Sequence, residues 1–347
     1  MFYSVLYFTL GLAVTRALKG PFTQDFAKFL SMSDEYSDLQ CLQHGVNGSF
    51  GGRSYADQKI RREPVIFIHG NSDGALANGK GPFSFGWTNS ISYFLRHGYT
   101  SAELYALTWG DRNLANAVNR LHSCEHLKRI RNFIEAVLKY TESAKIDIIS
   151  HSMGVTLARK AIKGGRVTVG RKSFCNLGEP LTERVDTFVG IAGANFGMCS
   201  CTSEIAEIVP ACSYTVCSVK MFKIGFFGFQ KGFWSGDVCS SQDKEDYFNK
   251  EPLTCLSATE TDNCDVQDYA LFLKQLNADK AKEADFVVSV WSKGDKIIGN
   301  GGLTWGTPTG LIPNSDEVLI YKNLTHEDVK SMTAKAQYDA VTKHSFV

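Results

Sequence analysis

Ser150-His-Ser152-Met-Gly154 joins a β-branched run (Ile146, Ile148, Ile149) to Leu157, Ala158, Ala161 and Ile162, which recur at helical spacing. A strand must therefore become a helix within about three residues. At such a turn a serine hydroxyl stands clear of the backbone. The Met153 amide points the same way from a helix N-terminus, where developing negative charge is stabilised. Ser150 occupies the first position of the G-x-S-x-G pattern, which needs a small residue more than it needs glycine. Alone, the pentapeptide reads equally well as an ordinary turn, so other residues must decide.

A serine hydroxyl is inert at its free pKa and needs a base and an orienting acid. The chain has eight histidines. His44 lies in the N-terminal stretch, His97 at a helix end and His344 in the tail. His151 belongs to the turn itself, and His69 ends a strand, where it would shape an oxyanion loop. His122 and His126 are a helical turn apart, but H-E-x-x-H is absent and no third metal ligand is evident, so the pair reads as a solvated helix start. His326 remains, in Asn323-Leu-Thr-His-Glu-Asp328, and Asp295 follows the apolar run 286–291.

These residues need a frame. The apolar run 64–68 leads into His69-Gly70-Asn71 and suits a strand buried on both faces. A helix through Trp87, Ile91, Phe94 and Leu95, a strand over 102–108 and an amphipathic helix over 127–138 precede the serine strand. Further strands are expected at 188–192, 286–291 and 317–321, and a closing helix at 328–342. This alternation predicts an α/β fold: a mostly parallel central sheet with crossover helices on both faces. Ligands bind beyond the carboxyl ends of such strands, so Ser152, Asp295 and His326 would converge on one edge. Their chain order is that of the α/β-hydrolases.

The segments 64–71, Ala106-Leu-Thr-Trp-Gly110, 147–154, Val189-Gly-Ile-Ala-Gly-Ala-Asn195 and Gly294-Asp295 together resemble the class 2 lipases, over about residues 60–335. The resemblance implies Ser152 as nucleophile, His326 as base, Asp295 as orienter, and the Asn71 and Met153 amides as the oxyanion hole. It implies hydrolysis of carboxylic esters of lipids, triacylglycerol first among them, with no metal or organic cofactor. A carboxylesterase, phospholipase or acyltransferase would share the same elbow. A secreted lipid-binding protein that keeps the fold without catalysis would lack a member of the triad.

The net charge of +1 gives no electrostatic case for nucleic acid. Residues 1–17 read as a secretory signal peptide, too short for a stable membrane span. Ten cysteines and the sequons at Asn47 and Asn323 then fit a secreted, extracellular, disulfide-bonded glycoprotein. Residues 18–63 are expected as an N-terminal extension, and 64–347 as the catalytic domain. It carries a cysteine-rich cap or lid insert at about 197–284, with seven of the ten cysteines. Within that insert the aromatic stretch 221–234 reads either as an apolar flap that meets a lipid–water interface or as a fixed cap. Partners beyond an ester or lipid substrate, and the oligomeric state, are left open by the sequence.

Overall fold

The computed structural model describes residues 18–40, 42–79, 81, 83–169, 173–198, 201, 211–212, 269–298, 302–304 and 307–346. The expected signal peptide (1–17) and the aromatic stretch 221–234 lie outside the described residues.

Strands β1 (Ser49–Phe50), β2 (Val65–Ile68), β3 (Leu104–Leu107), β4 (Ile146–His151), β7 (Val185–Ile191), β8 (Phe286–Ser292) and β11 (Glu317–Tyr321) form a seven-stranded sheet ordered β1-β3-β2-β4-β7-β8-β11. Every pairing is parallel except that of the edge strand β1 with β3. β2, β3 and β4 are buried at every position because helices cover both their faces, which is why they read as unbroken apolar runs. β11 alternates half-buried and exposed residues and closes the other edge.

Helices α1 (Gln24–Ser31), α3 (Cys124–Thr141) and α4 (Met153–Lys163) pack as one layer. α2 (Thr88–Arg96) and the helix Ala334–Lys343 form the other. α3 starts where Ser123 accepts a hydrogen bond from the His126 amide and stops at Glu142 in the left-handed region. The remaining regular pieces are the hairpins β5 (Arg166–Val169) with β6 (Ser173–Asn176) and β9 (Leu303–Thr304) with β10 (Thr307–Pro308), and helices Leu271–Ala278 and Asp328–Ser331.

Several local expectations change. Residues 18–63 do more than wrap the fold: Phe22, Phe26 and Phe29 stack among Phe133, Tyr105 and Tyr140, and β1 extends the sheet. The glycine-rich, basic loop at 164–185 contains the β5–β6 hairpin, tied to the start of α3 by a Cys124–Cys175 disulfide. The closing helix breaks at Met332–Thr333 into two pieces, with the Thr333 hydroxyl donating back to the Val329 carbonyl. Within the expected insert, Cys201 pairs with Cys212. Its end returns through the helix Leu271–Ala278, where buried Arg159 of α4 donates to Glu283, Asn277 and Asn195.

Candidate active site

The serine turn is built by close approach. Ser152 sits at φ +53° and ψ −130°, a conformation costly for a side-chain-bearing residue. Its amide donates to the Ile191 carbonyl (2.8 Å), and its carbonyl accepts from Val155 (2.9 Å). Two glycines make the turn possible. A Cβ on Gly154 would stand 2.3 Å from the His69 carbonyl oxygen, and one on Gly70 would stand 2.8 Å from the Ser152 Cβ. Ser150 has a settled place: fully buried, its hydroxyl donates to the Val189 carbonyl of β7 at 3.1 Å.

β2, β4, β8 and β11 run parallel, so the loops leaving them emerge on one edge. There Asp295 and His326 meet, with His326 Nδ1 2.6 Å from Asp295 Oδ2, and both residues are buried. The second carboxylate oxygen accepts the Ile297 (2.8 Å) and Ile298 (3.3 Å) amides, which fixes the plane of the group. Gly294 lets the two loops touch, since a Cβ there would lie 2.9 Å from the Asn323 backbone. The other aspartates near these loops are engaged elsewhere: Asp316 pairs with Lys282 and accepts the Val287 amide, and Asp328 accepts the Thr325 hydroxyl.

His151 supports His326 from below. Its Nε2–H donates to the His326 carbonyl at 2.9 Å, and burial pushes its pKa well below that of a free histidine, so the ring is neutral. His69 is locked in the same way. It stacks on Trp109 with centroids 4.9 Å apart, accepts the Trp109 amide on Nε2 and donates from Nδ1 to the Gly70 carbonyl, and burial lowers its pKa to about 3.

Ser152 and His326 line one cavity of about 310 Å³, together with Asn71 and Met153. Met153 is the first residue of α4, so its N–H has no intrahelical acceptor, and among the described residues the Asn71 amide has none either. The walls are apolar, with Leu114, Val118, Met198, Ile297 and Ile298 among them. Such a surface suits a hydrocarbon chain and offers little to a charged ligand.

Away from the cavity, the reading of a solvated helix start fails for His122, while His126 is half-buried in the first turn of α3. His122 is fully buried before α3 begins, with Nε2 2.7 Å from the Thr156 hydroxyl, and burial keeps it neutral. A Thr partner on α4, 34 residues away, left no local signal in the sequence. Of the two sequons, Asn323 is exposed, whereas Asn47 is half-buried and its amide nitrogen donates to the Ala77 carbonyl at 2.8 Å. No helix among the described residues is long and apolar enough to cross a membrane. Arg120, which the sequence did not single out, lies buried beneath Asn71 and Ser72.

A parallel sheet flanked by helices, with a strained serine at the end of a central strand, defines an α/β-hydrolase fold. The family model for class 2 lipases matches residues 62–339, and the chain belongs to that family. Among solved structures it is similar to Aspergillus fumigatus lipase B (15% identity, TM-score 0.48), covering 85% of this chain and 56% of that one. It thus spans little more than half the length of that relative. It is also similar to a monoacylglycerol lipase of Paleococcus ferrophilus (12% identity, TM-score 0.43), with 86% and 98% of the two chains covered. Mouse alpha/beta hydrolase domain-containing protein 10 matches at 15% identity and TM-score 0.39, with 85% and 98% covered.

Proposed function

We propose that this chain is a secreted serine hydrolase that cleaves carboxylic esters of lipids, with triacylglycerol as its main substrate class. The observation that carries the reading is the 2.6 Å pairing of His326 with Asp295 on the cavity that Ser152 also lines. His326 accepts the Ser152 proton as the hydroxyl oxygen attacks the acyl carbonyl, and the tetrahedral oxyanion takes hydrogen bonds from the Asn71 and Met153 amides. The imidazolium then protonates the leaving alcohol. A water enters and attacks the acyl carbonyl as His326 takes its proton; the acyl–oxygen bond to Ser152 breaks, His326 returns that proton to the Ser152 oxygen, and the free acid leaves. Asp295 holds His326 in the Nδ1–H tautomer and stabilises its cationic form throughout.

The Cys124–Cys175 and Cys201–Cys212 disulfides support an oxidising compartment. A lipid carrier would make use of the apolar cavity but has no need of a buried histidine–carboxylate pair beside it. The test is hydrolysis of p-nitrophenyl esters of graded chain length, then of emulsified triacylglycerol and phospholipid, by wild type and Ser152→Ala. The variant should lose on the order of 10⁶ in turnover while folding normally. Near-wild-type turnover in Ser152→Ala would refute the nucleophile. A preference for phospholipid over triacylglycerol would move the substrate class.

A further inference from the structure

The loop after β2 carries a left-handed residue that is not glycine, Ser72 at φ +65°, directly beside the Asn71 amide. Such a conformation persists only when its surroundings hold it. On one side Asp73 does so, accepting the Gly86 amide at 2.9 Å and the buried Lys330 ammonium at 2.5 Å. On the other stands Arg120, whose side chain is 4% exposed. Its Nη1 donates to Asn71 Oδ1 and, at 2.8 Å, to the Ser72 hydroxyl. Its Nη2 donates to Asp111 and, at 2.9 Å, to the Asn113 carbonyl. One planar guanidinium thus joins the Asn71–Ser72 turn to the Asp111–Asn113 loop, which leads into the cavity wall at Leu114, a fork that an ammonium cannot reproduce.

We propose that Arg120 is a positioning residue for the oxyanion hole: by fixing the Asn71 side chain and the Ser72 hydroxyl it aims the Asn71 amide at the developing negative charge. This rests on the ester-hydrolase reading, with Ser152 as nucleophile. Arg120 touches no reacting atom and acts through Asn71. An intact oxyanion donor is worth about 10²–10³ in turnover, and a misaimed one loses part of that. Removing the fork should therefore lower kcat about tenfold to a hundredfold. KM should change by less than about threefold, because a donor to the transition state adds little to ground-state binding.

The experiment compares wild type, Arg120→Met, Arg120→Lys, Asn71→Ala and the Arg120→Met/Asn71→Ala double variant of the full chain. The substrate is a soluble p-nitrophenyl ester, and active sites are counted by stoichiometric labelling of Ser152 with a p-nitrophenyl phosphonate. Expressed per labelled site, kcat should fall in Arg120→Met, fall less in Arg120→Lys, and fall in the double variant by less than the product of the two single losses, since both changes cut the Arg120–Asn71 bond, while Asn71→Ala also frees the Ala117 carbonyl and Arg120→Met also frees the Ser72 hydroxyl. A purely structural arginine would lower the number of labelled sites and leave kcat per site unchanged, and that result would overturn the proposal. So would losses that multiply in the double variant. If Arg120→Met does not fold, Arg120→Lys decides: wild-type kcat per site in that variant is again a refutation. Failure of the phosphonate to label Ser152 in the wild type would overturn the ester-hydrolase reading and the Arg120 role with it. Normal labelling with unaltered Arg120 variants would overturn the Arg120 role alone.

Discussion

At the scale of residues, the proposed mechanism depends on which tautomer His326 holds. Asp295 accepts from Nδ1 at 2.6 Å, which leaves Nε2 free to take the Ser152 proton. Asp295→Asn should keep the fold, since an amide oxygen can still accept the Ile297 amide that Asp295 Oδ1 holds at 2.8 Å. The amide group can also donate to Nδ1 and so favour the wrong tautomer, and turnover should fall by about 10⁴ as for the corresponding change in another serine hydrolase. Asp316→Asn and Asp328→Asn, whose partners are Lys282 and Thr325, should stay near wild type. Steady-state rates on a soluble ester check all three, and damage confined to Asp316→Asn or Asp328→Asn would show that the acid is misassigned.

At the scale of elements, the parallel strands were legible because strands buried on both faces leave runs such as Val65-Ile-Phe-Ile68 and Phe286-Val-Val-Ser-Val-Trp291. That Asp295 and His326 follow strands could be read from the runs at 286–291 and 317–321. What escaped the sequence depends on distant partners. β1 is two residues long and exists through its pairing with β3, and the β5–β6 hairpin is tied by a disulfide to a helix 51 residues away. Arg120 belongs to no motif, and its acceptors come from two separate loops. The Cys124–Cys175 bridge permits a separate test. Closing a loop of that length removes unfolded-state freedom worth about 2–4 kcal/mol, and neither cysteine lines the cavity. The Cys124→Ser/Cys175→Ser double variant should unfold at lower denaturant by that amount with kcat per active site unchanged. Stability equal to wild type would mean that the hairpin is held by packing alone.

At the scale of the whole molecule, stability against pH is set by buried groups that pull in opposite directions. His69, His122 and His151 are buried with pKa values pushed down by desolvation, so they stay neutral in the folded chain. Below their unfolded value of about 6.5 the unfolded chain binds protons that the folded chain refuses. Each such histidine therefore removes about 1.4 kcal/mol of stability per pH unit as the pH falls, until its own folded pKa is reached. Asp147 does the reverse. Buried within β4 and within 4.8 Å of the carboxylates of Glu63 and Asp186, it has its pKa raised by desolvation and then by those neighbours. Between its unfolded value of about 3.9 and its higher folded one, the folded chain binds the extra proton, and stability rises as the pH falls. His122 and Asp147 are both outside the cavity lining, which lets the two effects be separated without touching the chemistry. Urea unfolding at pH 7, 6 and 5 should show wild type losing stability toward acid. His122→Gln should flatten that slope, by about 1 kcal/mol per pH unit averaged over this range and approaching about 1.4 only well below pH 6.5, and Asp147→Asn, by removing the opposing proton, should steepen it. Asp147→Asn should also gain stability relative to wild type as the pH rises, because the raised carboxyl pKa costs the wild type stability that grows above the unfolded value, and this gain should shrink toward pH 5. Curves for the three proteins that run parallel from pH 7 to pH 5 would mean that neither group titrates differently in the folded and unfolded chains.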